Sequence, residues 1–275
     1  GMHDYTREGA QGCTSFNEII AKGYGEPQSA KEFAELAQWV NYDGHRSLFE
    51  SRSQNRKGLL MWMSHSCWPS MVWQTYDYYF EPTAAYFAIK KASEPLHIQW
   101  NPATDEVEVV NYSAGTHKGL TAKVQVLNMD ASVAWEKEAT VDSNEDTTDK
   151  CIKLEFPENL SKVHFIKMTL TEDGKVVSDN FYHRSLEENN YQDLCQLAKV
   201  ALQSATTVDK NADGTWSAVS VIENKTSTPA LMIRLNVVGG KDGQQILPVF
   251  YSDNYFSLLP GEKKEVRMSW RDEDT

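Results

Sequence analysis

Residues Gly58–Phe87 read GLLMWMSHSCWPSMVWQTYDYYFEPTAAYF, and the architecture of the amino-terminal third turns on this stretch. Leu59-Leu60-Met61-Trp62-Met63 is too short and too uniformly apolar for a surface helix. Gly58 opens it and the polar run Ser64-His65-Ser66 closes it, so the pattern predicts a buried strand. Large aromatics then crowd the chain: Trp68, Trp73, Tyr76, Tyr78, Tyr79 and Phe80. Pro82, at a favoured first position, starts a helix to about Ser93 with Tyr86, Phe87 and Ile89 as its buried side. Rings at this density, with polar edges, suit pyranoses, whose C–H faces stack on them while their hydroxyls take hydrogen bonds.

Upstream, Phe33, Leu36, Ala37, Val40 and Leu48 recur at helical spacing between Ser29 and about Ser51, and Ser29 with Glu32 forms a capping box. The opening residues Gly1 to Gly25 are rich in Gly and polar groups, with a short helical turn expected at Phe16–Ala21. Downstream, the period changes after Pro95 from helical to alternating. Strands are expected at Glu106–Tyr112, Leu120–Asn128, Val133–Val141, Cys151–Phe156, Lys162–Thr171 and Lys175–Tyr182, separated by turn residues, which is the pattern of an immunoglobulin-like sandwich. Ser185–Leu197 is polar and weakly helical and reads as a linker. A second sandwich comes after it, with strands expected at Lys199–Thr206, Thr215–Glu223, Ala230–Val238, Gln245–Phe250 and Lys263–Trp270.

The chain has 275 residues, 40% of them hydrophobic and 11% aromatic, enough to bury the cores of two or three domains. Twenty-seven basic against thirty-nine acidic residues give a formal charge of −12, which repels a phosphate backbone and argues against nucleic acid as a partner. No apolar run approaches the roughly 20 residues of a membrane helix, so no membrane partner is expected. The four cysteines, Cys13, Cys67, Cys151 and Cys195, lack any Cys-x-x-Cys spacing and read as buried free thiols. The seven histidines show no metal-ligand spacing, and no phosphate loop, nucleophile elbow or dinucleotide fingerprint occurs, so neither metal nor cofactor is expected.

The succession of apolar strand, Trp62, polar loop, Trp68-Pro69-Ser70, Asp77-Tyr78-Tyr79, a Pro-led helix and Lys90-Lys91-Ala92-Ser93-Glu94-Pro95 resembles the last strand and helix of the catalytic barrel in glycoside hydrolase family 2, in its exo-β-glucosaminidase and β-mannosidase-like branch. Glu94-Pro95-Leu96-His97-Ile98-Gln99-Trp100 resembles that branch's entry into its first immunoglobulin-like domain, and Ser252–Glu262 the close of its last one. The resemblance implies a mainly β chain: the last strand and helices of a (β/α)8 barrel at residues 1–94, an immunoglobulin-like β-sandwich at 95–185 and a second at 186–275.

It further implies that the intact enzyme hydrolyses terminal β-linked glucosamine or mannose with retention, using two glutamates at roughly 5 to 5.5 Å separation on barrel strands that precede the part recognised here. No catalytic residue is therefore expected in this chain. Glu8, Glu32, Glu35, Glu50 and Glu81 lie in the opening segment or at helix ends, where capping and solvation account for them. The resemblance places Trp62 in the floor of the terminal sugar subsite, although barrel-core packing suits it too. Trp68 would rim the pocket; His65 and Ser64 could bond sugar hydroxyls, and His65 also suits a satisfied loop histidine. Asp77, Tyr78 and Tyr79 are expected to pack the barrel against the following helix.

The expected partners are carbohydrate, the missing amino-terminal part of the barrel, and a second copy through the exposed barrel remnant; a periplasmic or extracellular parent is favoured. A non-catalytic carbohydrate-binding or structural β-sandwich module is the alternative, although Trp135, Trp216 and Trp270 are dispersed singly among strands rather than forming one binding face.

Overall fold

The computed structural model describes residues 13–51, 58–69, 74–240 and 243–271. Three helices precede the strands: α1 (Cys13–Tyr24), α2 (Ala30–Glu50) and α3 (Ala84–Ala92). The capping box forms in a displaced version. Ser29 Oγ accepts the Glu32 N–H at 3.1 Å, but the Glu32 carboxylate takes the N–H of Gln28, one residue before the cap. At α3 the Thr83 hydroxyl donates instead to the Gln74 and Thr75 carbonyls, and the orphan N–H of Ala84 is capped from α2 by Gln38 Oε1 at 2.8 Å.

The first sandwich pairs a four-stranded sheet, ordered β4 (Val133–Ser143), β3 (His117–Asn128), β6 (Val163–Glu172), β7 (Lys175–Ser185), with a three-stranded one, ordered β1 (Leu96–Asn101), β2 (Glu106–Asn111), β5 (Thr147–Lys153). All pairings are antiparallel, and inward alternation along β3 buries Leu120, Ala122, Val124 and Val126 against Ile98, Val107, Val109 and Met168. β1 is not among the expected strands, and β5 starts four residues early because Thr147–Lys150, polar on their exposed side, pair with β2.

The second sandwich has a four-stranded sheet, ordered β11 (Phe250–Tyr251), β13 (Lys263–Arg271), β9 (Thr215–Glu223), β8 (Gln203–Lys210), facing only two strands, β10 (Ala230–Ile233) and β12 (Phe256–Leu258). The gap is filled by a helix. Ala84 and Phe87 of α3 join Ala218, Ile222, Val266 and Met268 in one core, and the Phe87 ring meets Tyr251 edge-on at 6.4 Å and Tyr255 at 5.9 Å. Lys90 Nζ adds donations to the carbonyls of Tyr251 and Ser252. A third cluster, Tyr24, Leu127, Val163, Phe165, Leu194 and Leu259, ties α1 and a short 3-10 turn at Gln192–Gln196 to both sandwiches.

A buried polar network joins α2 to the first sandwich. The Glu50 carboxylate accepts from Tyr182 Oη at 3.0 Å, from Asn180 Nδ2 at 2.9 Å and from His97 Nε2 at 3.1 Å. Three groups on two strands thus converge on one helix end. His97 Nδ1 meets Glu94 at 3.0 Å, so the imidazole sits between two carboxylates; burial alone would lower its pKa, but hydrogen bonds and charge from Glu50 and Glu94 win and raise it. Arg46 donates to the Phe181 carbonyl at 2.6 Å and to Asp43 at 2.9 Å, with its guanidinium over the Tyr182 ring. Lys91 of α3 pairs with both Asp179 and Glu94. An ionised group taken out of water needs this many partners to break even.

The cysteines divide differently from expectation. Cys151 is half-buried, and desolvation pushes its thiol up to about 12, whereas Cys67 and Cys195 are exposed. No helix among the described residues is long and apolar enough to cross a membrane.

Candidate functional site

The aromatic segment is built on loops rather than on a strand. Leu59–Met63 forms no ladder among the described residues: Leu60 is fully exposed, Trp62 is 78% exposed, and Met63 stands at φ 62°, in the left-handed region. A strand interior to a parallel barrel needs a neighbour on each edge, and among the described residues no strand pairs with this segment.

The polar residues after Met63 are held firmly. Ser64 O accepts both the Tyr76 N–H and the Thr75 hydroxyl at 3.0 Å, which clamps the start of the loop to its end. His65 forms a single parallel bridge with Tyr76, stacks on Phe80 at 4.5 Å between centroids, and donates from Nε2 to the Tyr78 carbonyl at 3.3 Å. Its ring is thus positioned from one side only, and Nδ1 is the nitrogen left for another partner. Asp77 Oδ1 accepts the N–H groups of Tyr79 and Glu81, closing a turn in which Phe80 takes φ 65°.

Trp68 is 39% exposed, and the rings of Tyr78, Tyr79 and Phe80 are exposed as well. Tyr78 and Tyr79 do not pack against α3 as expected; Tyr76 does so, tilted over Tyr86 at 5.2 Å. The hydroxyl of Tyr76 titrates higher than usual through desolvation and its Tyr86 neighbour. Trp73 lies outside the described residues. The structure thus brings His65 together with the Tyr76–Phe80 turn, while Trp62 and Trp68 stand on the exposed chain to either side of His65.

Each glutamate weighed from the sequence and described in the structure has a local role. Glu32 caps α2, Glu35 pairs with Lys31, Glu50 is enclosed in the interface network, and Glu81 pairs with Arg234 of the second sandwich. Glu50 is the residue whose importance the sequence underrated. Its position at the end of an amphipathic helix suggested solvation, and only the gathering of β1 and β7 residues around it reveals the enclosure.

Two family profiles match this architecture: the mannosidase Ig/CBM-like domain over residues 105–185 and the exo-β-D-glucosaminidase Ig-fold domain over residues 180–275. The likeness extends beyond them. The exo-β-D-glucosaminidase of Streptomyces avermitilis is 31% identical across 94% of this chain and 32% of its own length; that of Arthroderma benhamiae is 28% identical across 93% and 31%. The chain carries the Ig-fold domains of the exo-β-D-glucosaminidases and mannosidases of glycoside hydrolase family 2. Among solved structures, the exo-chitosanase CsxA of Amycolatopsis orientalis superposes with a TM-score of 0.89 at 28% identity, over 95% of this chain and 34% of that one. A match running through the amino-terminal helices as well as the sandwiches fits those helices as a barrel remnant in this branch. The chain spans about a third of the length of the curated relatives it matches.

Proposed function

We propose that this chain is the carboxyl-terminal portion of a retaining exo-β-glycosidase that removes terminal β-linked glucosamine or mannose, and that it contributes one wall of the substrate pocket. Residues 1–94 would complete the barrel, with 95–185 and 186–275 as the two sandwiches. Trp62 would floor the terminal subsite, Trp68 would rim it, and His65 would offer Nδ1 to a sugar hydroxyl. Both catalytic carboxylates would come from elsewhere in the intact protein.

The observation that carries this reading is the similarity to exo-β-D-glucosaminidases along almost the whole chain combined with coverage of only a third of their length. The exposed Leu60, Trp62 and Met63 support it, since contiguous apolar surface of this kind is normally covered. The remainder of the barrel is the occupant proposed; a second copy of the chain is the competing one, and light scattering distinguishes them, a strict monomer favouring the first.

Incubation with aryl β-glucosaminides and β-mannosides is the direct test. The chain alone should show no turnover, while the protein extended upstream through a complete barrel should hydrolyse one of the two. Turnover by this chain that a single glutamate substitution abolishes would sink the proposal.

A further inference from the structure

A cleft of about 620 Å³ lies between the amino-terminal half of α2, the turn around Asp77 and the second sandwich, within the size range of small-molecule sites. It does not include Trp62, His65 or Trp68. A smaller cavity of about 380 Å³ shares Trp39, Met232 and Tyr255 with it. Met232 and Tyr255 both hold left-handed backbone, at φ 50° and 56°, which the surrounding packing must sustain.

Tyr255 is 6% exposed, yet its hydroxyl makes no hydrogen bond with any described residue. The charges that act on it include those of Arg234, Glu81 and Asp77, which all line the cleft, so the hydroxyl lies on the cleft side. The acids and bases of the cleft do not balance. Glu35 pairs with Lys31 and Glu81 with Arg234, while Asp77 commits Oδ1 to two backbone N–H groups and has no partner among the described residues for Oδ2. One carboxylate oxygen, one hydroxyl without a protein partner among the described residues and the Trp39 ring therefore line the same space.

We propose that this cleft binds a saccharide ring bearing a free amine, with Asp77 receiving the ammonium, Tyr255 bonding a ring hydroxyl and Trp39 forming the apolar wall. The proposal deepens the reading of the chain as part of a glycosidase acting on amino sugars by naming a second place where such a sugar is held. Cationic charge separates this ligand from a neutral sugar of the same shape.

Calorimetric titration of the chain with the fully deacetylated glucosamine trimer and with its N-acetylated counterpart tests it. The deacetylated trimer should bind and the acetylated one should bind at least about fivefold more weakly. Tyr255→Phe, which removes an oxygen with no protein partner and so leaves the fold intact, should weaken binding about fivefold, as should Asp77→Asn. Phe250→Ala, at an exposed ring that does not line the cleft, should leave the affinity within about twofold. Absence of binding, equal affinity for the two trimers, indifference to both Tyr255→Phe and Asp77→Asn, or loss of binding in Phe250→Ala each overturns the proposal. These outcomes are distinct from those of the hydrolysis test, since binding here is read on the chain alone and turnover on the barrel-containing protein.

Discussion

The two sandwiches solve the same packing problem with unequal resources. The first faces four strands with three and closes its core with its own residues, from Ile98 and Val107 to Ile166 and Met168. The second faces four strands with two and borrows Ala84 and Phe87 from a helix that precedes both sandwiches in the chain. A sheet's apolar face must be covered, but the cover need not be sequential or even β. Independence in the sequence and independence in the core are therefore different properties.

Removing the borrowed cover is the strongest way to break the comparison. Phe87→Ala should cost about 3–5 kcal/mol, and hydrogen exchange should show protection lost in β9 and β13 while β3 and β6 keep theirs. Uniform loss across both sandwiches would show that the first is no more self-sufficient than the second. A comparable effect is expected from Glu50→Ala, which strips three donors of their acceptor. Breaking one side of a buried charged network costs about 3–5 kcal/mol, here read as a lower denaturant midpoint for the α2 contact with β1 and β7.

The pH dependence sharpens the same contrast, because the charged clusters sit between the helices and the first sandwich. The raised pKa of His97 means that its contribution is fully present below the unfolded imidazole value and is lost as pH rises through the folded one. Desolvation would raise the Asp179 carboxyl, but the charge of Lys91 beside it prevails and holds it down at about 2, so its contribution is present above the ordinary carboxylate range and is lost as pH falls toward 2. Unfolding midpoints measured against pH should therefore pass through a maximum, and His97→Gln should flatten its alkaline side.

Smaller effects complete the series. Gln38→Ala removes the acceptor that caps the Ala84 N–H and should cost about 1 kcal/mol, detected as earlier fraying of α3. Trp62→Ala should change the stability of this chain by less than about 0.5 kcal/mol, because the ring is mostly exposed here. In the barrel-containing protein the same substitution should lower kcat/KM.

Legibility in the sequence tracks locality. The caps, the helix over Ala30–Glu50 and the strands Thr215–Glu223 and Lys263–Arg271 announce themselves through spacing within a few residues, and the structure shows them within a residue or two. Strand Phe256–Leu258 is three residues long and gives period-two alternation too few positions to register. Gln203–Lys210 lies at a sheet edge with every residue exposed, so its hydrophobic pattern carries almost no signal and the expected strand starts four residues early. Leu59–Met63 is the reverse case, a clear strand pattern with no strand, because pairing partners are a nonlocal property. The closure around Glu50 needed tertiary contacts spanning up to 132 residues of sequence.

The helix that lends Phe87 to the second sandwich also sets the limits of modularity. Its period belongs with the helices before Pro95, so a recombination event or a cloning boundary placed at the change of period would pass on a sandwich with an open core. The transferable unit at this end of the molecule begins before Ala84, and its inheritance is overlapping: one helix counts as the close of one architectural element and as the lid of another.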